Sequence, residues 1–352
     1  MEPLPRLLAL ATAVPPFVID QAEAAARARE LLGRSVDLDR LMPVFTTSGI
    51  KTRYSAVPLD WFDTPHGWAE RNERYVAAAL DLLVTITRRL LDRGGIGPEE
   101  IGSIVTVSTT GIATPSLDAL LIERMELPRS LQRLPIFGLG CAGGTLGLAR
   151  AAALARAQPD KAVLLLVVEL CTLCFRHGDT TKSNIVASAL FADGAAGALL
   201  RCGTDGVAIA AAGEHLWPHS LDIMGWEVTE SGLKARFSRD IPRLVAAELG
   251  AVTRKFLNGE GLRLDEIDLF VPHPGGPKVV DACEQAFGLA SGALDVARGV
   301  LREFGNMSAA SVMFVLEQVL AQARNRKMPW RRALMTALGP GFTAGFTVLA
   351  QR

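Results

Sequence analysis

Residues 137–150 read FGLGCAGGTLGLAR and run straight into AAALARAQPDKAVLLLVVEL. A single thiol, Cys141, stands behind a glycine and ahead of a glycine pair, where a helix of small residues begins. Backbone N–H groups and the dipole at a helix start favour a thiolate. Gly138, Gly140, Gly143 and Gly144 let a substrate approach the backbone. A thiolate beside an imidazolium is a nucleophile able to take up an acyl group. A buried cysteine lacking such partners is an inert small hydrophobe. The chemistry therefore depends on what the rest of the chain brings to Cys141.

An internal repeat supplies candidates. Residues 87–101, TRRLLDRGGIGPEEI, resemble residues 253–267, TRKFLNGEGLRLDEI, at an offset of 166. Thr87, Arg88, Leu91, Gly95, Glu100 and Ile101 recur as Thr253, Arg254, Leu257, Gly261, Glu266 and Ile267. Each copy reads as a helix end, a glycine stop and an acidic turn, then a strand: IGSIVTVS in one, IDLFVPHP in the other. Carried forward, the same offset sets Val107 on His273, and Gly140 and Cys141 on Asn306 and Met307. The segments after 141 and 307 are nearly free of charge, as expected of buried helices. Packed centrally between sheets, they would bring Cys141 and Asn306 together, with His273 on the adjacent strand end. The alternation of strands and helices predicts a layered α/β architecture. It also predicts two halves, 1–205 with the cysteine and 206–352 with the histidine and asparagine.

Composition narrows the partners. The 352 residues carry 37 basic and 37 acidic side chains, so no charge excess points to nucleic acid or an anionic membrane. The start, LLALATAVPP, lacks a basic n-region and reads as a first strand rather than a leader. The longest apolar run, AVLLLVVEL at 162–170, is far short of the roughly 20 residues of a membrane span. Five cysteines without regular spacing fit reduced thiols in a cytoplasmic protein better than a disulfide framework. No His, Cys or Asp cluster has metal-ligand spacing.

Five stretches in order, GLGCAGG, ALFADGAAGALL, VPHPGGPKVVDACEQAFGL, EFGNMSAAS and ALGPGFTAGF, resemble the type III polyketide synthases, the chalcone synthase superfamily of the thiolase fold. The likeness runs from ATAVPPFVIDQAEA to the final strand. It implies a duplicated αβαβα fold, a homodimer, coenzyme A thioesters as substrates, and no cofactor. It also implies a triad of Cys141, His273 and Asn306. In that scheme His273 holds the Cys141 thiolate as an ion pair, and an acyl-CoA starter is loaded on it. Malonyl-CoA then loses CO2, and donors from His273 and Asn306 stabilise the resulting enolate. Phe191 matches a gatekeeper beside the thiol, and Gly339, Pro340 and Gly341 match a loop shaping the cavity.

Further positions follow from the same likeness. Thr109, Cys171 and Cys174 fall among cavity-wall positions. As a Cys-x-x-Cys pair, the last two also admit a redox motif or half a zinc site, though no second pair accompanies them. Thr114 replaces a methionine that reaches into the partner's cavity, Ala235 replaces a second gatekeeper phenylalanine, and Trp226 stands where glycine is usual. Of three basic residues near the CoA phosphates only Arg40 is retained, with Lys51 and Arg53 as nearby substitutes. Gly275 and Gly276 either flank the pantetheine path or simply end a strand. His66, His177, His215 and His219 read as surface or loop residues, and Asp193 as a structural hydrogen-bonding residue. ELCTLCFRHGDTTKSNIVASALFADGAA and MGWEVTESGLKARFSRDIP resemble the bacterial alkylpyrone and alkylresorcinol synthases, which implies an aliphatic starter. Two rivals stand beside this reading. One is a ketoacyl synthase III-like enzyme making a single condensation; the other is a catalytically inactive thiolase-fold binding protein.

Overall fold

AVLLLVVEL folds as a strand, Ala162–Leu170, with every residue buried. Val163, Leu165 and Val167 enter one apolar cluster, and Leu164, Leu166 and Val168 enter another on the opposite side. A strand covered on both faces needs no polar alternation, which is why this one reads as continuous hydrophobicity.

The computed structural model describes residues 3–32 and 36–351. In chain order its strands are β1 (Leu4–Ala13), β2 (Phe17–Asp20), β3 (Thr52–Ser55), β4 (Ile101–Val107), β5 (Gln132–Ile136), β6 (Ala162–Leu170) and β7 (Asp193–Gly203). There follow β8 (Val207–Leu216), β9 (Met224–Thr229), β10 (Gly232–Phe237), β11 (Leu269–Pro272), β12 (Arg332–Gly339) and β13 (Thr343–Ala350). Nine of them line up as β11-β12-β13-β8-β1-β7-β6-β4-β5. β1-β7-β6-β4 pair antiparallel, antiparallel, parallel, and β8-β13-β12-β11 repeat that pattern. The two sets meet only where Arg6 and Leu7 pair with Ala208 and Val207.

The repeated segments do the same structural job in each set. Helix Trp68–Gly94 ends at the left-handed Gly95, and a single 3₁₀ turn, Pro98–Glu100, leads into β4. Helix Gly250–Gly259 and turn Leu264–Glu266 lead likewise to β11. Glu100 and Glu266 each accept a backbone N–H three residues back, from Gly97 at 3.1 Å and Arg263 at 2.8 Å. Each also pairs with an arginine of the same sheet, Arg201 on β7 or Arg332 on β12, at 2.9 Å.

Between the sets lie the two small-residue helices, Gly143–Ala157 and Ser311–Asn325. The first touches β1, β4, β6 and β7 on one side and β8, β12 and β13 on the other. Gly144 permits the pairing with its neighbour, since a Cβ there would lie 2.3 Å from the Ala309 carbonyl oxygen. Outer helices complete the five layers: Trp68–Gly94 packs on β1, β6 and β7, while Pro277–Phe287 shares an apolar cluster with β12 and β13. The α-helices begin two to four residues later than expected from 141 and 307. Gly140 and Ser308 have φ of +47° and +48°, outside the right-handed region, so each opens a 3₁₀ turn before the helix. No helix among the described residues is long and apolar enough to cross a membrane.

Candidate active site

The two 3₁₀ turns, Gly140–Ala142 and Ser308–Ala310, face each other at the heads of the central helices. The Cys141 thiol donates to Ser308 Oγ at 3.6 Å. Ser308 N–H in turn donates to Asn306 Oδ1 at 2.9 Å, and Asn306 Nδ2 donates to the Gly275 carbonyl at 3.2 Å. Gly275 N–H closes back on the His273 carbonyl at 3.0 Å. His273 follows the last residue of β11, and its own N–H is held by the Thr336 carbonyl at 2.8 Å. The fold thus draws Cys141, Asn306 and His273, three distant segments of chain, into one buried chain of contacts.

Burial dominates the electrostatics. It pushes the Cys141 thiol up to about 12, while the Ser308 hydrogen bond pulls the other way. It presses the His273 imidazole down to about 3. Both ring nitrogens of His273 are buried without a hydrogen-bond partner. A donor and an acceptor left free in a desolvated site are available to a reacting molecule. Taken singly, each group rests neutral at pH 7, so a thiolate here requires the proton to pass to an adjacent base.

Two neighbours escaped the sequence reading. Ser308 is the thiol's direct partner, and only its place two residues after Asn306 marked it. Glu169 is the lone acid of the β6 run, a signal present in the sequence. Its Oε2 accepts Thr109 N–H at 3.0 Å and Thr110 Oγ1–H at 2.9 Å, while Oε1 has no partner. Burial raises this carboxyl to about 8. Thr109 lies beside the thiol, its Oγ1 accepting Gly140 N–H at 3.2 Å.

Next to this centre opens a narrow, mostly apolar cavity. Cys171, Cys174, Phe191, Trp226 and Ala235 line it, together with Ala24, Ala28 and Leu31 of helix Gln21–Leu32. Phe191 tilts against Trp226 with ring centroids 5.8 Å apart and is bridged to Asn306 through the backbone. Through Phe191 and its bridge to Asn306 the cavity wall adjoins the triad. Gln21 donates to the Ala189 carbonyl at 2.9 Å, which sets the helix's first turn near Phe191 and its last turn away from it.

The remaining expected residues divide. Pro340 sits over the thiol's turn, as a Cβ on Gly140 would come within 2.6 Å of its ring, and Gly339 adjoins Leu139 and Ala142. Gly341 instead adjoins Leu216, and Gly276 makes no close approach. Thr114 is exposed and does not line the cavity of its own chain. Arg40 and Lys51 are exposed. Arg53 is not available to CoA phosphates: it is wholly buried and donates to the Ser188 and Phe191 carbonyls. On β3 Arg53 and Ser55 turn inward while Thr52 and Tyr54 stay half-buried; Lys51 precedes the strand and is exposed. Cys171 and Cys174 flank a 3₁₀ turn in the cavity wall. Asp193 accepts hydrogen bonds from Thr172 and Ala56. His66 lies in a loop, as expected, and is half-buried there, stacked on Trp61 at 3.7 Å and paired with Glu70 at 2.9 Å.

Comparison with known proteins places this site in a family. Residues 3–205 match the family model for the N-terminal domain of chalcone and stilbene synthases, and residues 208–351 match that for the C-terminal domain. The chain is 36% identical to 1,3,6,8-tetrahydroxynaphthalene synthase of Streptomyces peucetius, covering 97% of this chain and 92% of that one. It is 29% identical to the alpha-pyrone synthesis polyketide synthase-like Pks18 of Mycobacterium tuberculosis, covering 96% and 88%. The crystal structure of 1,3,6,8-tetrahydroxynaphthalene synthase from Streptomyces coelicolor superposes with a TM-score of 0.92 at 26% identity, over 99% of both chains. PKS-I from the brown alga Ectocarpus siliculosus gives 0.91, also at 26% identity, over 100% and 99%. The chain belongs to the chalcone and stilbene synthase family, and is a type III polyketide synthase that carries out decarboxylative condensation on coenzyme A thioesters.

Proposed function

We propose that the enzyme loads an aliphatic acyl-CoA on Cys141, extends it with malonyl-CoA and releases a cyclised alkylpyrone or alkylresorcinol. The observation that carries the starter assignment is the apolar cavity from Phe191 and Ala235 to Ala24 and Ala28. Its mostly apolar lining suits a flexible alkyl tail. The family relative whose name includes alpha-pyrone synthesis supports the same product class.

The chemistry follows from the site. His273 takes the thiol proton as Cys141 attacks the thioester carbonyl, and CoA leaves as a thiol. The triad's N–H donors, on the His273 imidazole and the Asn306 carboxamide, then face the thioester oxygen of malonyl-CoA. Loss of CO2 places negative charge on that oxygen, where donors in a desolvated site stabilise it most. The enolate carbon attacks acyl-Cys141, and the lengthened chain returns to the sulfur. The sequence balances without a metal or redox cofactor. Residues 1–205 and 206–352 act as two catalytic halves, one bringing the nucleophile and the other the oxyanion donors. Arg40, with Gly275 and Gly276, is proposed to line the CoA path. We infer a homodimer formed along β5, an edge strand of the sheet followed by the exposed Phe137.

A second reading is favoured by the Streptomyces peucetius relative: a tetrahydroxynaphthalene-type aromatic product. Incubation with a panel of acyl-CoAs plus malonyl-CoA, and with malonyl-CoA alone, separates the two by product mass. The expected result is pyrones or resorcinols carrying the starter's alkyl chain, with Cys141→Ala losing acyl loading but keeping slow malonyl-CoA decarboxylation. Coumaroyl-CoA outperforming every aliphatic starter, or a naphthalene product from malonyl-CoA alone, would overturn the starter assignment. Condensation by Cys141→Ala would overturn the triad.

A further inference from the structure

Arg53 is a buried charged side chain at the border of the cavity. It stands on β3, wholly buried, and its Nη1 donates to two carbonyls of one short segment, those of Ser188 and, at 3.0 Å, Phe191. That segment is the one that holds Asn306. Asn306 N–H donates to the Leu190 carbonyl at 2.9 Å, and Ala192 N–H donates to the Asn306 carbonyl at 2.9 Å. The stem of Arg53 reaches the same place from the other side: a Cβ on Gly305 would lie 3.2 Å from Arg53 Cβ and 2.9 Å from Ala192 Cβ. Gly305 has φ +71°, so residue 305 must be glycine both for its backbone and for this contact.

We propose that Arg53 is a positioning residue for the condensation, holding the Phe191–Asn306 bridge so that the Asn306 carboxamide meets the forming enolate. It touches no reacting atom; it acts through Asn306. The assignment rests on Asn306 being an oxyanion donor, as set out above. Burial lowers the guanidinium to about 10, still charged at neutral pH, with Asp193 near enough to support the charge. A charged donor bonds carbonyls more strongly than a neutral one, which suits a clamp on a loop. The asymmetry with the nucleophile is the useful consequence. Cys141 is set first by its own turn and meets Asn306 only through Ser308, whereas Arg53 acts directly on the backbone segment that holds Asn306.

The experiment separates the two half-reactions. Acylation of Cys141 by an acyl-CoA is followed by intact-protein mass, and CO2 release from malonyl-CoA is followed without starter. Asn306→Ala and Arg53→Met should each slow decarboxylation by about 10²-fold, the scale of a lost or displaced oxyanion donor. In both variants acylation should fall clearly less than decarboxylation does. The double variant should be no slower than Asn306→Ala alone, because one contact is being removed twice. Arg53→Lys, which keeps the charge and one hydrogen bond, should recover most of the decarboxylation rate, and it replaces Arg53→Met in the cycle if that variant does not fold. Equal loss of both half-reactions, or losses that multiply in the double variant, would overturn the role of Arg53. Decarboxylation unaffected by Asn306→Ala would instead bring down the oxyanion reading, and this inference with it.

Discussion

Ala28→Phe tests the cavity directly. Ala28 is buried on helix Gln21–Leu32 and faces the space between that helix and Phe62, Phe175 and Ala187. From Ala24 to Leu31 the helix advances about 10 Å at 1.5 Å per residue. An extended alkyl chain advances about 1.25 Å per carbon, given C–C bonds near 1.5 Å and angles near 111°. A tail lying along the helix from the Phe191 end therefore has room for about eight carbons. A phenyl ring at 28 closes the stretch beyond it, about 4.5 Å, or three to four carbons. Each buried methylene contributes about 0.8 kcal/mol, so the longest good starter loses about 3 kcal/mol, on the order of 10²-fold in kcat/KM. Short starters should be unaffected. The assay is kcat/KM over a series of saturated acyl-CoAs for parent and variant, with Tm measured beside it. The expected outcome is an optimum moved down by three to four carbons at nearly unchanged Tm, since the ring fills empty space. An unchanged chain-length profile would refute the tail path. So would a Tm loss on the scale of the 1–3 kcal/mol typical of overpacking, since the side chain at 28 would then face packed core.

Two further outcomes are expected. His273 has its imidazole depressed to about 3 against an ordinary 6.5, so it supports stability above pH 6.5 and loses that support as pH falls toward 3. His273→Gln should flatten the acid-side fall in unfolding free energy by an amount of the order of 5 kcal/mol at full extent; identical pH profiles by denaturant titration would contradict the burial of a neutral ring. Phe137→Asp, at an exposed apolar position beside the β5 edge, should convert the dimer to monomer by light scattering at micromolar concentration; a parent that is already monomeric would remove the interface.

The glycine-framed Cys141, the helix behind it and the duplicated frame were legible in the chain because each leaves a local signature. Cys141 is framed by glycines, and Gly95 with Glu100 repeats as Gly261 with Glu266 because both pairs build the same helix stop and turn. β6 was legible because a doubly covered strand has nothing polar to interrupt it, and its one exception, Glu169, sits in the site. What no periodicity carries is contact between segments far apart in sequence. Ser308 meets Cys141 only because left-handed turns at 140 and 308 aim both inward. Arg53 reads as a surface cation beside Lys51 until β3 is seen to lie under the Phe191 segment, where burial turns it from a phosphate ligand into a backbone clamp. The small face of helix Gln21–Leu32, Ala24 and Ala28, is indistinguishable in sequence from any alanine-rich packing surface. Only its placement across from Phe191 and Trp226 makes those alanines the wall of a cavity. Local hydrogen bonding and side-chain size are written residue by residue, whereas desolvation and empty space are properties of the assembled neighbours, and only the folded chain has them.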